Sequence, residues 1–300
     1  MKKTEKTRSA MITIAGRPNV GKSTLTNKLL GEKVAIVSNK PQTTRNRICA
    51  VINKGDTQLV LVDTPGFHKA RTKLGEYMVK IVRQSVADVE AVALVVEPIP
   101  SAGVQETQLI DRIKQNKVPA ILVINKIDTV AKEELLAVIL AYSALHEFAA
   151  IVPVSAKTGE GLEELMEEFL KFSLSGPWLF PEDMVTDQPD KQVCAEIVRE
   201  KLLYCLDEEI PHGTAVEVTK FSERVDTEII DLEVTIYCEK AGHKGIIIGK
   251  NGEMLKKIGT MARADIEKFM GTKVYLQTWV KVKDSWRDRD GLLKNFGYKG

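Results

Sequence analysis

The octet GRPNVGKS at 16–23 constrains this chain more than any other feature. It follows the apolar run MITIA (11–15) and precedes the helix-favouring stretch TLTNKLL (24–30). A glycine-rich loop between a strand and a helix points its backbone N–H groups, and the positive end of the helix dipole, at an anion. Gly16 and Gly21 let the loop wrap a phosphate chain without Cβ clashes, while Arg17, Pro18, Asn19 and Val20 supply the backbone between them. Lys22 is placed to reach the β- and γ-phosphates, and the Ser23 hydroxyl to ligate Mg²⁺.

The strand feeding such a loop belongs to an open sheet, and the first 175 residues supply one. Apolar runs at 11–15, 48–52, 58–62, 91–96, 120–124 and 150–154 read as buried strands. The second and third runs are joined only through Lys54, Gly55 and Asp56 and their neighbours, too short a link for a crossover helix, so they pair as an antiparallel hairpin. Longer helix-like stretches separate the later runs. Leu162, Leu165, Met166, Phe169 and Leu170 share one helical face. The expected class is α/β, a mostly parallel sheet covered on both faces.

Three further segments narrow the ligand to a guanine nucleotide. Asp63, Thr64, Pro65 and Gly66 follow the run at 58–62, where Asp63 holds Mg²⁺ and the Gly66 N–H senses the γ-phosphate. Asn125, Lys126, Ile127 and Asp128 follow the run at 120–124. The Asp128 carboxylate accepts from guanine N1–H and the 2-amino group; adenine offers neither donor there. Asn125 reaches the other edge of the base, and the Lys126 stem covers its face. Ser155, Ala156 and Lys157 follow the run at 150–154, where the Ala156 N–H can donate to O6. All four motifs stand at strand C-terminal ends, where open α/β sheets bind ligands.

A switch segment is expected between the first helix and second strand, at Gln42, Thr43, Thr44, Arg45 and Asn46. A threonine here closes on Mg²⁺ when the γ-phosphate is present. Phe67 follows Gly66 where many signalling GTPases carry a water-orienting glutamine, so intrinsic hydrolysis is expected to be slow and to need a partner or cation. His68 is either a general base or a solvated surface group.

Gly176, Pro177, Pro181 and Pro189 break the pattern, and 176–190 reads as a stiff linker between units at 1–175 and 191–300. Beyond it the expected order is α-β-β-α-α-β. A helix covers 191–209, and a strand alternates Ile230, Leu232, Val234 and Ile236 against polar residues. Two short helices lie around 252–271, and a last strand points Val274, Leu276, Val280 and Val282 inward. Gly249, Lys250, Asn251 and Gly252 form a GxxG loop whose glycines let it approach a nucleic-acid backbone, above an apolar floor at 246–248. Lys256, Lys257 and Arg263 are candidate phosphate contacts. Lys281, Lys283 and Arg287 fit either that role or a solvated edge. Charge is polarised within this second part, with net −10 over 181–240 and +7 over 241–300, so it is expected to present one basic edge.

These residues resemble two known modules. The 10–175 segment is similar to the translation-factor-like branch of P-loop GTPases, and 191–300 to a type II KH domain, a smaller α+β fold that holds about four nucleotides of single-stranded RNA. GRPNVGKS, PQTTRNR, DTPGFHK, NKID, VSAKTGEG and GIIIGKNGEMLKKIG together resemble the Era family over 9–298. The resemblance implies GTP and GDP as ligands, with Mg²⁺ on Ser23, Thr44 and Asp63. It implies Lys22, Thr44 and Gly66 as the catalytic set, with Thr43 the alternative to Thr44. It also implies a K⁺ ion on Asn19 acting like an arginine finger, and Phe67 among the nucleotide-contacting residues. The implied partners are the 3′ end region of small-subunit ribosomal RNA and the 30S subunit, whose assembly the protein assists. Peripheral inner-membrane association and a monomeric state are implied too. Glu97, Pro98, Ile99 and Pro100 depart from the Asp-type strand end expected there. A signalling or peripheral membrane GTPase whose second domain only binds protein is the alternative.

Composition fits this reading. At roughly 150 residues per domain, 300 residues make two domains, and a net charge of +2 argues against a histone-like tail. Cys49, Cys194, Cys205 and Cys238 have no metal-ligand spacing and suit a reducing compartment. The first ten residues lack the apolar core of a signal peptide. No apolar run approaches the ~18 residues that span a bilayer. The expected location is the cytoplasm, with peripheral membrane contact left open.

Overall fold

The computed structural model describes residues 7–67, 70–224 and 227–298. They form two compact units. The first takes in Met1–Ala35, Thr44–Ala70 and Gly75–Asp187, the second Ile36–Thr43, Arg71–Leu74 and Gln188–Gly300.

In the first unit all six apolar runs are strands: β1 (Arg8–Ala15), β2 (Ile48–Lys54), β3 (Thr57–Asp63), β4 (Ala91–Val96), β5 (Ala120–Ile124) and β6 (Ala150–Pro153). Their order is β2-β3-β1-β4-β5-β6. β2 pairs antiparallel with β3, from Ile48 opposite Asp63 to Lys54 opposite Thr57, and the others are parallel. A two-residue strand, β7 (Leu174–Ser175), pairs antiparallel with Arg8 and Ser9 of β1, a pairing the sequence did not announce. Helices α1 (Lys22–Leu30), α2 (Lys73–Ser85), α3 (Val104–Asn116), α4 (Glu134–Ser143) and α5 (Leu162–Leu170) connect the strands.

Strand periodicity builds two cores. Ala91, Ala93, Val95, Ile121 and Val123 face one cluster with Leu25 of α1 and Leu165 and Phe169 of α5. Val92, Leu94, Val96, Leu122 and Ile124 face the other, with Val82 of α2, Leu109 and Ile113 of α3, and Val138 and Tyr142 of α4. Each fully buried aliphatic side chain contributes about 1.5–3 kcal/mol. The sheet is thereby clamped, and the loops at its strand ends can be held in place.

Most of the segment expected to be a stiff linker, 176–190, belongs to this unit. Gln58 accepts from the Leu179 and Phe180 N–H groups at 2.8 and 2.9 Å and donates to the Phe180 carbonyl at 3.0 Å. The Val51 N–H donates to the Val185 carbonyl, and the Cys49 N–H to Asp187. Phe180 packs on Cys49, Val60 and Val62. β2 is an edge strand, and the proline-rich segment covers its unpaired backbone groups, which is why it is ordered. Only residues 188 and 189 separate this cover from the next helix.

The second unit contains α6 (Asp190–Cys205), β8 (Ala215–Glu223), β9 (Ile229–Cys238), α7 (Ala241–Ile248), α8 (Glu253–Met270), β10 (Lys273–Val282) and α9 (Asp290–Asn295). The sheet order is β10-β9-β8, with β8 antiparallel and β10 parallel to β9. Two boundaries differ from expectation. The first helix ends at Cys205 rather than 209, and the pair expected around 252–271 is one helix before the GxxG turn and one of 18 residues after it. Ile230, Leu232, Val234 and Ile236 are buried against α6 and α8, as their alternation requires. Trp286 is fully buried, donates to the Gly213 carbonyl at 2.9 Å and stacks on Tyr298. Residues 36–43, expected in the first unit, are held in the second: the Val37 N–H donates to Glu200, Lys40 to the Leu206 carbonyl, and Arg199 to the Thr43 carbonyl. Among the described residues no helix is long and apolar enough to cross a membrane.

Candidate functional site

β1 delivers its chain into the phosphate loop at Gly16. A Cβ on Gly16 would lie 2.4 Å from the Val95 carbonyl oxygen, and one on Gly66 2.8 Å from the Pro18 backbone. The loop therefore packs where only glycine fits. The Phe67 N–H donates to the Gly16 carbonyl at 3.3 Å, and the Thr64 hydroxyl to the Ile14 carbonyl at 2.9 Å. These bonds tie the turn after β3 to the loop after β1.

Lys22 opens α1 and is almost wholly buried. Its ammonium donates to the Gly16 and Arg17 carbonyls at 3.2 and 3.0 Å. Burial lowers its pKa to about 8, with the Asp63 charge opposing. Asp63 closes β3, and burial raises it to about 6 against the pull of Lys22, Ser23 and the Thr64 N–H. Desolvation of this kind on facing acid and base groups marks functional sites. The Ser23 hydroxyl donates to Asp63 Oδ2 at 2.6 Å and lies 2.8 Å from the Thr44 hydroxyl. Asp63 Oδ1 is buried with no hydrogen-bond partner. Two hydroxyls and a carboxylate with an unused oxygen are hard donors of the kind Mg²⁺ takes, so these residues fit that ion.

The structure separates the two threonines. Thr44 stands at Ser23, while the Thr43 hydroxyl bonds Ser38 at 3.0 Å and the Lys40 carbonyl at 2.7 Å. Of the other switch residues, Gln42 has a left-handed backbone, Arg45 is buried, and Asn46 accepts from the Tyr77 hydroxyl at 2.9 Å. Phe67 points away from this site: its ring is buried in the α2–α3 core with Arg112 stacked over it, because an apolar ring gains more there than beside phosphates. Its contact with the loop is through the backbone. His68 lies outside the described residues.

The Asn125–Asp128 loop after β5 is braced from the ends of three other strands. Asn125 donates to the Val20 carbonyl at 2.8 Å and accepts the Ala156 N–H at 3.0 Å. In this arrangement the Ala156 N–H is engaged by Asn125 rather than free for a base. Ser155 donates to Asp128 at 2.7 Å, and Lys157 lies 3.8 Å from its other oxygen. Ile127 packs on the α3–α4 core. Lys126, with a left-handed backbone, extends across to the Asn19 carbonyl at 2.7 Å and to Glu97 at 2.5 Å. Asn19 is exposed, also with a left-handed backbone. Sequence reading missed Glu97 and Glu106, which pair with Arg17. The only signal was a carboxylate closing the apolar run at 91–96.

In the second unit Gly249 (φ +73), Asn251 (φ +52) and Gly252 (φ +79) make a turn between α7 and α8. A Cβ on Gly249 would meet Met254 Cβ at 2.7 Å. Lys250, Lys256, Lys257 and Arg263 are exposed. The expected apolar floor is narrower than 246–248: Ile247 is fully buried in the core, Ile248 half-buried and Ile246 51% exposed, because successive helical residues face different directions. Arg287 is paired with Glu239 and is not a free phosphate contact.

Comparison with known proteins agrees with both halves. A family model described as a 50S ribosome-binding GTPase matches residues 11–126, and a KH-domain model matches residues 209–287. The chain is 51% identical to the GTPase Era of Ruminiclostridium cellulolyticum, covering 97% of this chain and 98% of the relative. It is 48% identical to that of Alkaliphilus metalliredigens, over 97% and 99%. It superimposes with a TM-score of 0.94, at 38% identity and over 98% of this chain, on a crystal structure of Era with MgGDPNP and nucleotides 1506–1542 of 16S ribosomal RNA. An Aquifex aeolicus Era variant bound to GDP and tetrafluoroaluminate matches equally well.

Proposed function

The chain belongs to the Era family of GTPases, and from that premise we propose that it is a GTP-dependent switch that binds small-subunit ribosomal RNA near its 3′ end and assists 30S assembly. The observation that carries the reading is the presence in one chain of two built sites. One is the buried Lys22–Asp63–Ser23–Thr44 cluster, the other the left-handed glycine turn with Lys250, Lys256 and Lys257 beside it.

Lys22, seated on carbonyls, is the cation that transfers to the β- and γ-phosphates, and the Gly66 N–H faces the γ-phosphate. Mg²⁺, when bound, neutralises developing charge on the phosphates. Ser23, Thr44 and Asp63 would hold it, and its charge would offset the cost of burying an ionised Asp63. Asp128 reads the guanine edge, Ser155 keeps it aimed, and Asn125 braces the loop against Val20 and Ala156. Asn19 would hold a K⁺ ion, which would supply the charge that a glutamine-less switch lacks; equal hydrolysis rates in sodium and potassium buffers would remove that role. GTP orders the switch segment and changes RNA affinity, and hydrolysis resets it. The protein acts as a cytoplasmic monomer, and any membrane contact is peripheral.

The test is crosslinking and sequencing of RNA bound to the protein, loaded with a non-hydrolysable GTP analogue or with GDP. A sharp small-subunit site, stronger in one nucleotide state, is expected. Absence of specific RNA in both states overturns the RNA reading, leaves the GTPase, and favours a protein-directed second domain.

A further inference from the structure

The four nucleotide motifs leave Glu97 and Glu106 unexplained, and Glu97 is the one that touches two motifs. Glu97 directly follows β4, at a strand end that matches none of them. It is three-quarters buried and touches two of the motifs at once. One carboxylate oxygen pairs with the Arg17 guanidinium in the phosphate loop, and the other with Lys126 in the guanine loop at 2.5 Å. Lys126 continues to the Asn19 carbonyl at 2.7 Å, and Arg17 is flanked on its far side by Glu106 of α3 at 3.2 Å. The Arg17 carbonyl is one of the two that hold Lys22. A single carboxylate thus links residues 17, 97 and 126, which come from three different strand ends.

We propose that Glu97 is a positioning residue that locks the phosphate loop to the guanine loop and thereby sets how long a guanine nucleotide stays bound. A negative charge beside a polyphosphate site opposes binding by itself, so its contribution here is geometric. It neutralises Arg17 and Lys126, whose cationic heads otherwise repel, and fixes the spacing between the two loops that grip opposite ends of the nucleotide. Glu97 keeps its charge: burial pushes its pKa up, but the Lys126 hydrogen bond and the charges of Lys126 and Arg17 outweigh this and hold it low. The inference rests on the GTP site lying where the motifs meet.

Glu97→Gln keeps the shape and removes the charge. Dissociation of fluorescent GDP and GTP is expected to accelerate about tenfold for both, the equivalent of about 1.4 kcal/mol. The nucleotide-free melting temperature should stay near the parent's. In a Lys126→Met background the same change is expected to add much less, because the bridge is already broken. Unchanged or slower dissociation overturns the proposal. So does faster dissociation matched by a lower nucleotide-free melting temperature, or a full tenfold effect in the Lys126→Met background. Lys22→Ala, measured alongside, separates the failures. If it retains GTP, the site itself is misplaced; if it loses GTP while Glu97→Gln is normal, only the role of Glu97 fails.

Discussion

Replacing Gly21 with alanine tests whether the phosphate and guanine loops act as one body. Gly21 sits at φ +98, and a Cβ there would stand 2.3 Å from Asn125 Nδ2. Asn125 must then move, yet its amide donates to Val20 at 2.8 Å and accepts from Ala156 at 3.0 Å. Two costs follow. A left-handed backbone at a residue carrying Cβ costs about 1–2 kcal/mol. Two broken hydrogen bonds cost about 0.5–1.5 kcal/mol each. Both costs are present without nucleotide and read out as a lower melting temperature. The second falls on the loop that receives the base. Its total of about 1–3 kcal/mol corresponds to about 5- to 150-fold weaker GDP binding. Gly31→Ala is the matched control, since Gly31 has φ +82 and nothing within 4 Å of its Cβ position. It should lose only the backbone part of that stability and keep its GDP affinity. Titration with fluorescent GDP, alongside thermal melts, reads both quantities. Equal GDP affinities in the two variants would refute the reasoning.

Thr44→Ala is expected to slow single-turnover hydrolysis by about 100-fold, the scale of losing one transition-state partner, while Thr43→Ala stays close to the parent; equal effects would contradict the placement of Thr44 at Ser23. Asp128→Asn removes the charge that reads guanine, and competition binding should show GTP affinity down about 10- to 150-fold, from charge-assisted bonds worth about 1.5–3 kcal/mol. Gly249→Asp adds a clash with Met254, a left-handed strain and a negative charge, so gel-shift affinity for RNA should fall while GDP binding is unchanged. Burial, with nearby Asp187 and Asp190 respectively, pushes the Cys49 and Cys194 thiols up to about 12. In the unfolded chain they ionise from their ordinary 9.0, so stability should decline as pH rises from 9 toward 12, and double Cys→Ala variants should show a shallower decline in urea melts.

The strands of the first unit were legible because each is a short apolar run ending in a turn, and burial on both faces leaves no other use for it. The hairpin at 48–63 followed from the shortness of its connection. The covering role of 174–187 was not legible. Its prolines and glycine signal an absence of helix, which a free linker and an edge-covering segment share, and Gln58 holds it through contacts more than 120 residues away in sequence. The GxxG turn was visible, but helix phase removed Ile247 from the expected floor.

At the site, residue identity declared the chemistry. Glycines at 16, 21 and 66, the lysine and serine at 22 and 23, and the carboxylates at 63 and 128 have few other combined uses. Those choices are local, since each motif needs only its own strand and turn. What the sequence could not decide is which groups from different strand ends meet. Adjacent threonines differ by one residue in the chain, yet only Thr44 reaches Ser23. Phe67 follows the glycine of the DTPG motif, yet turns into the core. Glu97 carries no motif, yet joins Arg17 to Lys126. Parallel β1, β4 and β5 bring these ends side by side, and only that packing sets the distances on which charge pairing depends.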